Sequence, residues 1–460
     1  MLSRRSILRA GLGVTGLTLL AACGQAASPT QAPAAAAKPG PEGTPAPKPA
    51  AAATAAPAAA AKPGPEGTPA PAAAKPATSA SGITLSMWSA RSGADLEQVQ
   101  QIVKEYQDKS KNKVNLQTIP FGDTDTKLQA AMKEGTAPDL HDYLPQDWFL
   151  KYAEANLIAP GPTDLLSPQE KANMPDGWEK AHFVKGKLVG FPYAPAHVIF
   201  TRNKDLVPQA PETWESFFPA AKALNKGQQR GFTLSTHYWQ LAGFWHGYGS
   251  YVFKELPEGG WDFNDVGWDN AGGLEAGKFL QRMAQEEVAQ KDFEPVNIEN
   301  LLKSKLTATG FSGQWAMAEL AKSGIPIAVS PMPKLPNGEM MKPYLNYDGD
   351  TVPAGTKYPD EAWNLVKTIC FGIQKFFLDD GRVPILKDLL DTPKAKESEN
   401  VQGFLKQWPK YTVANPGGTR AALQWDPINN AIGLMLKGAP VDKTMKEAAD
   451  QIRKKVKEAG

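Results

Sequence analysis

The chain has 460 residues, a formal net charge of +2 and two cysteines. That length exceeds what one hydrophobic core usually organises. The near-balanced charge shows no basic stripe of the kind nucleic acid demands, and two cysteines supply neither a disulfide framework nor a paired-cysteine metal site. At the N-terminus, Ser3-Arg4-Arg5-Ser6-Ile7-Leu8-Arg9 is basic, Ala10 to Leu20 is uncharged, and small residues precede Cys23. This three-part order is that of an export signal over residues 1–23. The uncharged stretch is about half the ~20 residues that span a bilayer, so it is not a permanent transmembrane anchor.

Leu20-Ala21-Ala22-Cys23 resembles a bacterial lipobox, which implies cleavage before Cys23 and lipidation of that residue. The expected location is the outer face of the cell membrane, held by lipid. The pair Arg4-Arg5 resembles a twin-arginine export signal; the general secretory route is the alternative. Residues 24–82 hold little but Ala, Pro, Gly, Lys, Thr, Ser, Gln and Glu, and the run starting at Ala37 recurs at Ala61. Without large apolar side chains such a segment cannot offset the entropy of ordering, so it reads as a tether. With Cys23 lipidated, Cys370 has no disulfide partner. Its apolar helical surroundings predict a buried thiol.

From residue 83 onward the pattern is α/β. Ile83 to Trp88 alternates like a strand; Leu96, Val99, Ile102, Val103 and Tyr106 follow at helical spacing. Val114 to Ile119 reads as a strand, Thr124 to Lys133 as a helix, and a third strand begins near Leu140. Short connections between them imply parallel strands and right-handed crossovers. Further on, Thr213 caps a helix, Asn270 to Met283 forms another, and Ala439 to Val456 the last. Short strands at Ala196 to Thr201, Thr307 to Phe311 and Ile325 to Ser330 interrupt them.

Several stretches in fixed order resemble the extracellular solute-binding proteins of family 1, the group that includes the maltose-binding protein. They are Gly135-Thr136-Ala137-Pro138-Asp139; Gly186-Lys187-Leu188-Val189-Gly190-Phe191-Pro192; Arg202-Asn203-Lys204-Asp205-Leu206 with Pro211-Glu212-Thr213-Trp214; Gly313-Gln314-Trp315; Pro359-Asp360-Glu361-Ala362-Trp363; and the helix of Trp425. Arg202 stands where the family usually has tyrosine. The resemblance spans nearly all of 83–460. It implies a two-lobe periplasmic-binding-protein-like fold of type II, with discontinuous lobes and a ligand cleft between them. Lobe one would be 83–192 plus 328–372, and lobe two 194–325 plus 375–460. It further implies a monomeric receptor that closes on a carbohydrate, an oligosaccharide by its tryptophan content, and delivers it to the permease subunits of an ABC transporter. A polyol or glycerol phosphate is the alternative ligand.

A sugar site needs flat aromatic platforms and directional polar groups. The candidate platforms are Trp88, Tyr143, Tyr193, Trp239, Trp315, Tyr347 and Trp425, with Trp148, Tyr238 and Trp245 behind them. Trp315 and Trp425 carry the family positions. Trp214, Trp268, Trp363 and Trp408 read as core. Arg91, Asp348 and Arg382 are the polar candidates, and Gly313 would free backbone N–H groups at the following helix start. Asn346 to Asp350 reads as a loop entering the cleft. No His-Glu-x-x-His, phosphate loop or Gly-x-Ser-x-Gly turn is present, so no catalytic residue, metal or cofactor is expected. A glycosidase built on two carboxylates and a purely structural surface lipoprotein remain as alternatives from other classes.

Overall fold

The computed structural model describes residues 82–235, 237–257, 260–291 and 297–460; the expected leader, its Cys23 and tether residues 24–81 lie outside them. Strand β1 (Thr84–Ser89) leads to α1 (Gly93–Ser110), β2 (Lys113–Thr118), α2 (Phe121–Glu134), β3 (Leu140–Leu144) and α3 (Gln146–Glu154). Leu85 and Met87 are buried on one face of β1, and Val99, Ile102, Val103 and Tyr106 form the buried stripe of α1. The periods of two and 3.6 thus hold where the sequence places them. β1 pairs in parallel with both β2 and β3. Helix α2 starts at Phe121, earlier than the expected Thr124, because Pro120 supplies the extended residue before the first turn.

The chain continues through β4 (Phe191–Ala196), β5 (Val198–Asn203), α4 (Trp214–Ala223), β6 (Arg230–Thr233), α5 (Tyr238–Gly247), α6 (Ala271–Gln285), α7 (Ile298–Lys303), β7 (Thr307–Gly313), α8 (Met317–Lys322) and β8 (Ile327–Ser330). Then come β9 (Tyr344–Thr351), α9 (Pro359–Gly372), β10 (Val413–Ala414), α10 (Gly418–Ala421), α11 (Trp425–Leu436) and α12 (Val441–Glu458). The first sheet has the order β10-β9-β3-β1-β2, with β4 also on β9; the second has β8-β5-β7-β6. The caps fall as expected: Thr213 accepts from the Ser216 N–H and Asn270 from the Gly273 N–H. The larger core, under the second sheet, is aromatic, with Trp214 packed edge to face on Phe200, Phe217, Phe232 and Phe311. Trp268 and Trp363 are fully buried, as is Cys370, whose thiol burial pushes well above its ordinary value.

The strand pairing moves the crossings between the two sheets. β4 stays in the first sheet to Ala196, so the chain crosses at His197 rather than after Tyr193. β8 pairs with β5 in the second sheet, and Met332, Leu335 and Met341 bury into that sheet's core. Residues 328–344 therefore belong to lobe two, not lobe one: Tyr344 is still buried in that core, and pairing with β4 begins at Asn346. Phe377 and Ile385 still lie in the first core, so the third crossing follows them, later than residue 375. Asn346 to Asp350 is no loop: it is the middle of β9, held by β4 and β3.

The carboxyl ends of β1 and β7 are brought together, as contacts between α1 and α8, the helices that follow them, establish. Glu319 on α8 accepts from the Ala94 N–H at the start of α1 at 2.6 Å. Lys322 pairs with Glu97 at 2.6 Å. On the far side, Glu154 of α3 accepts from the Thr419 N–H of α10 at 2.8 Å. Open parallel sheets bind ligands beyond such carboxyl ends.

Candidate functional site

On the lobe-one side, the turn after β1 turns Arg91 inward. Its guanidinium pairs with Asp142 at 2.8 Å and Asp95 at 2.6 Å, both guanidinium and Asp142 carboxylate being fully buried. The same group stacks over Tyr193 at 4.4 Å and Tyr143 at 5.1 Å. Of the Arg91 nitrogens only Nη2 is buried without a partner, which leaves its two N–H groups unpaired. Tyr143 sits in the left-handed region with φ 66°, strained for a bulky residue. Its N–H donates to Asp350 Oδ1 at 3.0 Å, which holds the turn. Next to it, burial first and the charge of Asp147 second push the Asp348 carboxyl up to about 8. At neutral pH that group keeps its proton, so it both donates and accepts; its Oδ1 is buried without a partner.

Two sequence candidates leave the site. Arg382 commits both terminal nitrogens, pairing with Asp95 and Asp380 at 2.6 Å and donating to Gln98, and stacks on Phe377 at 4.1 Å; only its Nε is buried without a partner. It braces the start of α1 and offers no fork to a sugar. Tyr347 lies on the other side of β9 from Asp348, because successive strand side chains point to opposite faces. There it lines a cavity of about 240 Å³ with Trp408, Pro175, Ile385 and Leu390. Tyr193 is 3% exposed beneath Arg91; it is floor rather than platform. Trp88 is half-buried against the first core and enters no ring pair among the described residues.

The lobe-two wall is aromatic. Trp239, in the first turn of α5, and Trp315, after β7, lie 5.6 Å apart between ring centres. Trp425 opens α11 and packs on His237 at 5.1 Å and Tyr344 at 6.3 Å. The two helices are tied where it matters: the Tyr238 N–H donates to Asn429 Oδ1 at 2.7 Å. Trp239, Trp315 and Trp425 are all half-buried, whereas Tyr238 and Trp245 are fully buried core. Gly313 does a different job from the one expected. Its backbone is extended, and a Cβ there would lie 2.0 Å from the Trp315 ring. The glycine makes room for the indole to fold back. Gln314 then stitches the sheets: it donates to the Pro195 carbonyl and accepts from the Val383 N–H.

Three neighbours of the site carried no signal in the sequence. Glu299 on α7 accepts from Ser312 Oγ at 2.6 Å and from the Trp315 indole N–H at 3.3 Å, fixing the ring. Asp147 stands beside Asp348. Phe121, at the start of α2, stacks on Trp148 at 5.1 Å and meets Tyr143 at 5.9 Å. None of them belongs to a motif; each is placed by tertiary packing. Among the described residues no group of three or more His, Cys, Asp or Glu is arranged to hold a metal.

Comparison with known proteins places this geometry. The profile of the bacterial extracellular solute-binding proteins matches residues 101–403. The galactooligosaccharide-binding protein of Bacillus subtilis is 23% identical over 60% of this chain and 68% of its own. The maltooligosaccharide ABC transporter solute-binding lipoprotein of Streptococcus pneumoniae is 24% identical over 78% of this chain and 86% of its own. The solved maltotriose-binding protein of Thermus thermophilus, bound with maltotriose, superposes with a TM-score of 0.75 at 24% identity, over 81% of this chain and 100% of that one. At that identity the superposition establishes the two-lobe fold.

Proposed function

The chain belongs to the bacterial extracellular solute-binding proteins, and from that premise we propose that it captures an oligosaccharide between its lobes and hands it to an ABC importer. The observation that carries the reading is the pair of aromatic walls at the facing carboxyl ends of the sheets. Trp239, Trp315 and Trp425 stand on one side, and Tyr143 with Arg91 and Asp348 on the other. Indole faces suit the C–H faces of pyranose rings, and a protonated buried carboxyl with a spare arginine N–H suits hydroxyls. The receptor acts as a monomer, with no cofactor and no step of bond breaking. Lobe one is 83–196 with 346–385, and lobe two takes the remainder of the folded chain. The twin arginine at Arg4-Arg5 and the lipobox at Cys23 supply export and a lipid anchor, with 24–82 as the tether.

Two measurements test this. Calorimetric titration of the protein with maltotriose, galactotriose, sorbitol and glycerol 3-phosphate is expected to give one saturable site for a trisaccharide, recovered intact by chromatography. Saturation by the polyol or the phosphate alone, or a cleaved sugar, overturns the reading. Separately, Cys23→Ser is expected to move folded protein from the membrane fraction to the soluble one. Retention of the variant on salt-washed membranes would count against the lipid anchor.

A further inference from the structure

Phe121 is 44% exposed, and among the described residues only Leu434, of the large hydrophobic side chains, is more open. Its neighbours explain what it is for. The ring stacks on Trp148 with an interplanar angle of 22° and sits 5.9 Å from Tyr143. Tyr143 in turn meets Tyr193 edge-on at 5.7 Å, over the Arg91 floor. The four rings make one run, from buried Tyr193 through half-buried Tyr143 to open Phe121, which also stacks on half-buried Trp148. The run lies at the carboxyl end of the lobe-one sheet. Phe121 follows β2, which is the edge strand of that sheet, so the run leads outward from the hinge strands β4 and β9.

We propose that Phe121, seated on Trp148, is an outer sugar-ring subsite that extends the lobe-one wall and lets the protein favour longer oligosaccharides over short ones. This rests on the oligosaccharide reading given above. An exposed apolar ring costs the protein solvation that a core position would not, and here it continues an aromatic wall instead of standing alone. An open-ended stacking surface adds contact only to a chain long enough to reach it. The shorter ligand, held by the inner rings, does not touch it.

The test is fluorescence or calorimetric titration of the parent and of Phe121→Ala with maltotriose and maltohexaose. The parent is expected to bind the hexasaccharide more tightly. In Phe121→Ala the hexasaccharide is expected to weaken about fivefold or more, as for the loss of one stacked ring, with maltotriose within about twofold of the parent. Phe121→Tyr keeps the ring and is expected to keep the preference, which separates a stacking role from damage to α2. Equal weakening for both sugars overturns the outer subsite. So does unchanged affinity for both. If the parent binds neither sugar nor any longer oligosaccharide, the oligosaccharide reading itself fails and the subsite with it.

Discussion

Trp315→Ala is expected to raise the dissociation constant for the oligosaccharide by tenfold or more. The indole is half-buried, so it has an open face to offer, and three contacts fix that face. Trp239 packs at 5.6 Å, Glu299 accepts the ring N–H at 3.3 Å, and Gly313 gives the ring its space. A fixed ring loses little entropy when a sugar lands on it, so most of the stacking is realised. Stacking contributes about 1 kcal/mol beyond area, and the buried apolar area adds a comparable amount. Since about 1.4 kcal/mol is one decade, tenfold is the lower figure. Trp425→Ala is expected to fall in the same range. Circular dichroism must match the parent in both variants. Parent-like affinity in both would remove these rings from the site and leave the family assignment standing.

The second large effect is on stability. Asp142→Ala removes the buried carboxylate that neutralises Arg91, both side chains being fully shielded from water. Breaking one partner of a buried pair leaves an uncompensated charge and costs about 3–5 kcal/mol. Asp95 remains at 2.6 Å from Arg91, so the lower end of that range applies. Urea denaturation of the purified protein reads the change directly. The double replacement Arg91→Met with Asp142→Leu is expected to recover part of it, because apolar residues of similar volume carry no desolvation cost. A single variant within about 1 kcal/mol of the parent would show that Asp95 suffices, against the range drawn from buried pairs.

The sequence carries the fold where one period dominates a segment. The α1 stripe and the alternation of β1 are local signals, and the caps at Thr213 and Asn270 are chemical ones. It misleads where composition and environment disagree. Asn346-Tyr347-Asp348-Gly349-Asp350 has the residues of a loop, yet it is a buried strand. Asp350 holds the strained Tyr143, and Asp348 sits shielded beside Asp147. Once the segment is a strand, Tyr347 and Asp348 must face opposite ways, and the sugar wall expected to include both loses one. Arg382 failed for another reason. Its partners Asp95, Gln98 and Asp380 come from two separate stretches, and only folding brings them onto one guanidinium. Glu299 and Phe121 had no motif to mark them; their importance lies in which ring they touch.

Glu319 bears on how cargo is let go. Its carboxylate, carried by one lobe, accepts from the Ala94 N–H in the first turn of α1 in the other. A negative charge at that helix end is favoured by ~0.3–1 kcal/mol, and the gain is independent of what lies in between. The protein itself thus supplies part of the work of shutting, and a cargo need supply only the rest. Apparent affinity rises with the fraction of receptor already in the competent shape. In a receptor whose lobes must part to discharge, the same contact would oppose that parting. Grip in dilute surroundings and speed of discharge would then be set against each other by such contacts, Lys322 with Glu97 among them. A receptor with Glu319 weakened would hold its cargo less firmly and surrender it sooner.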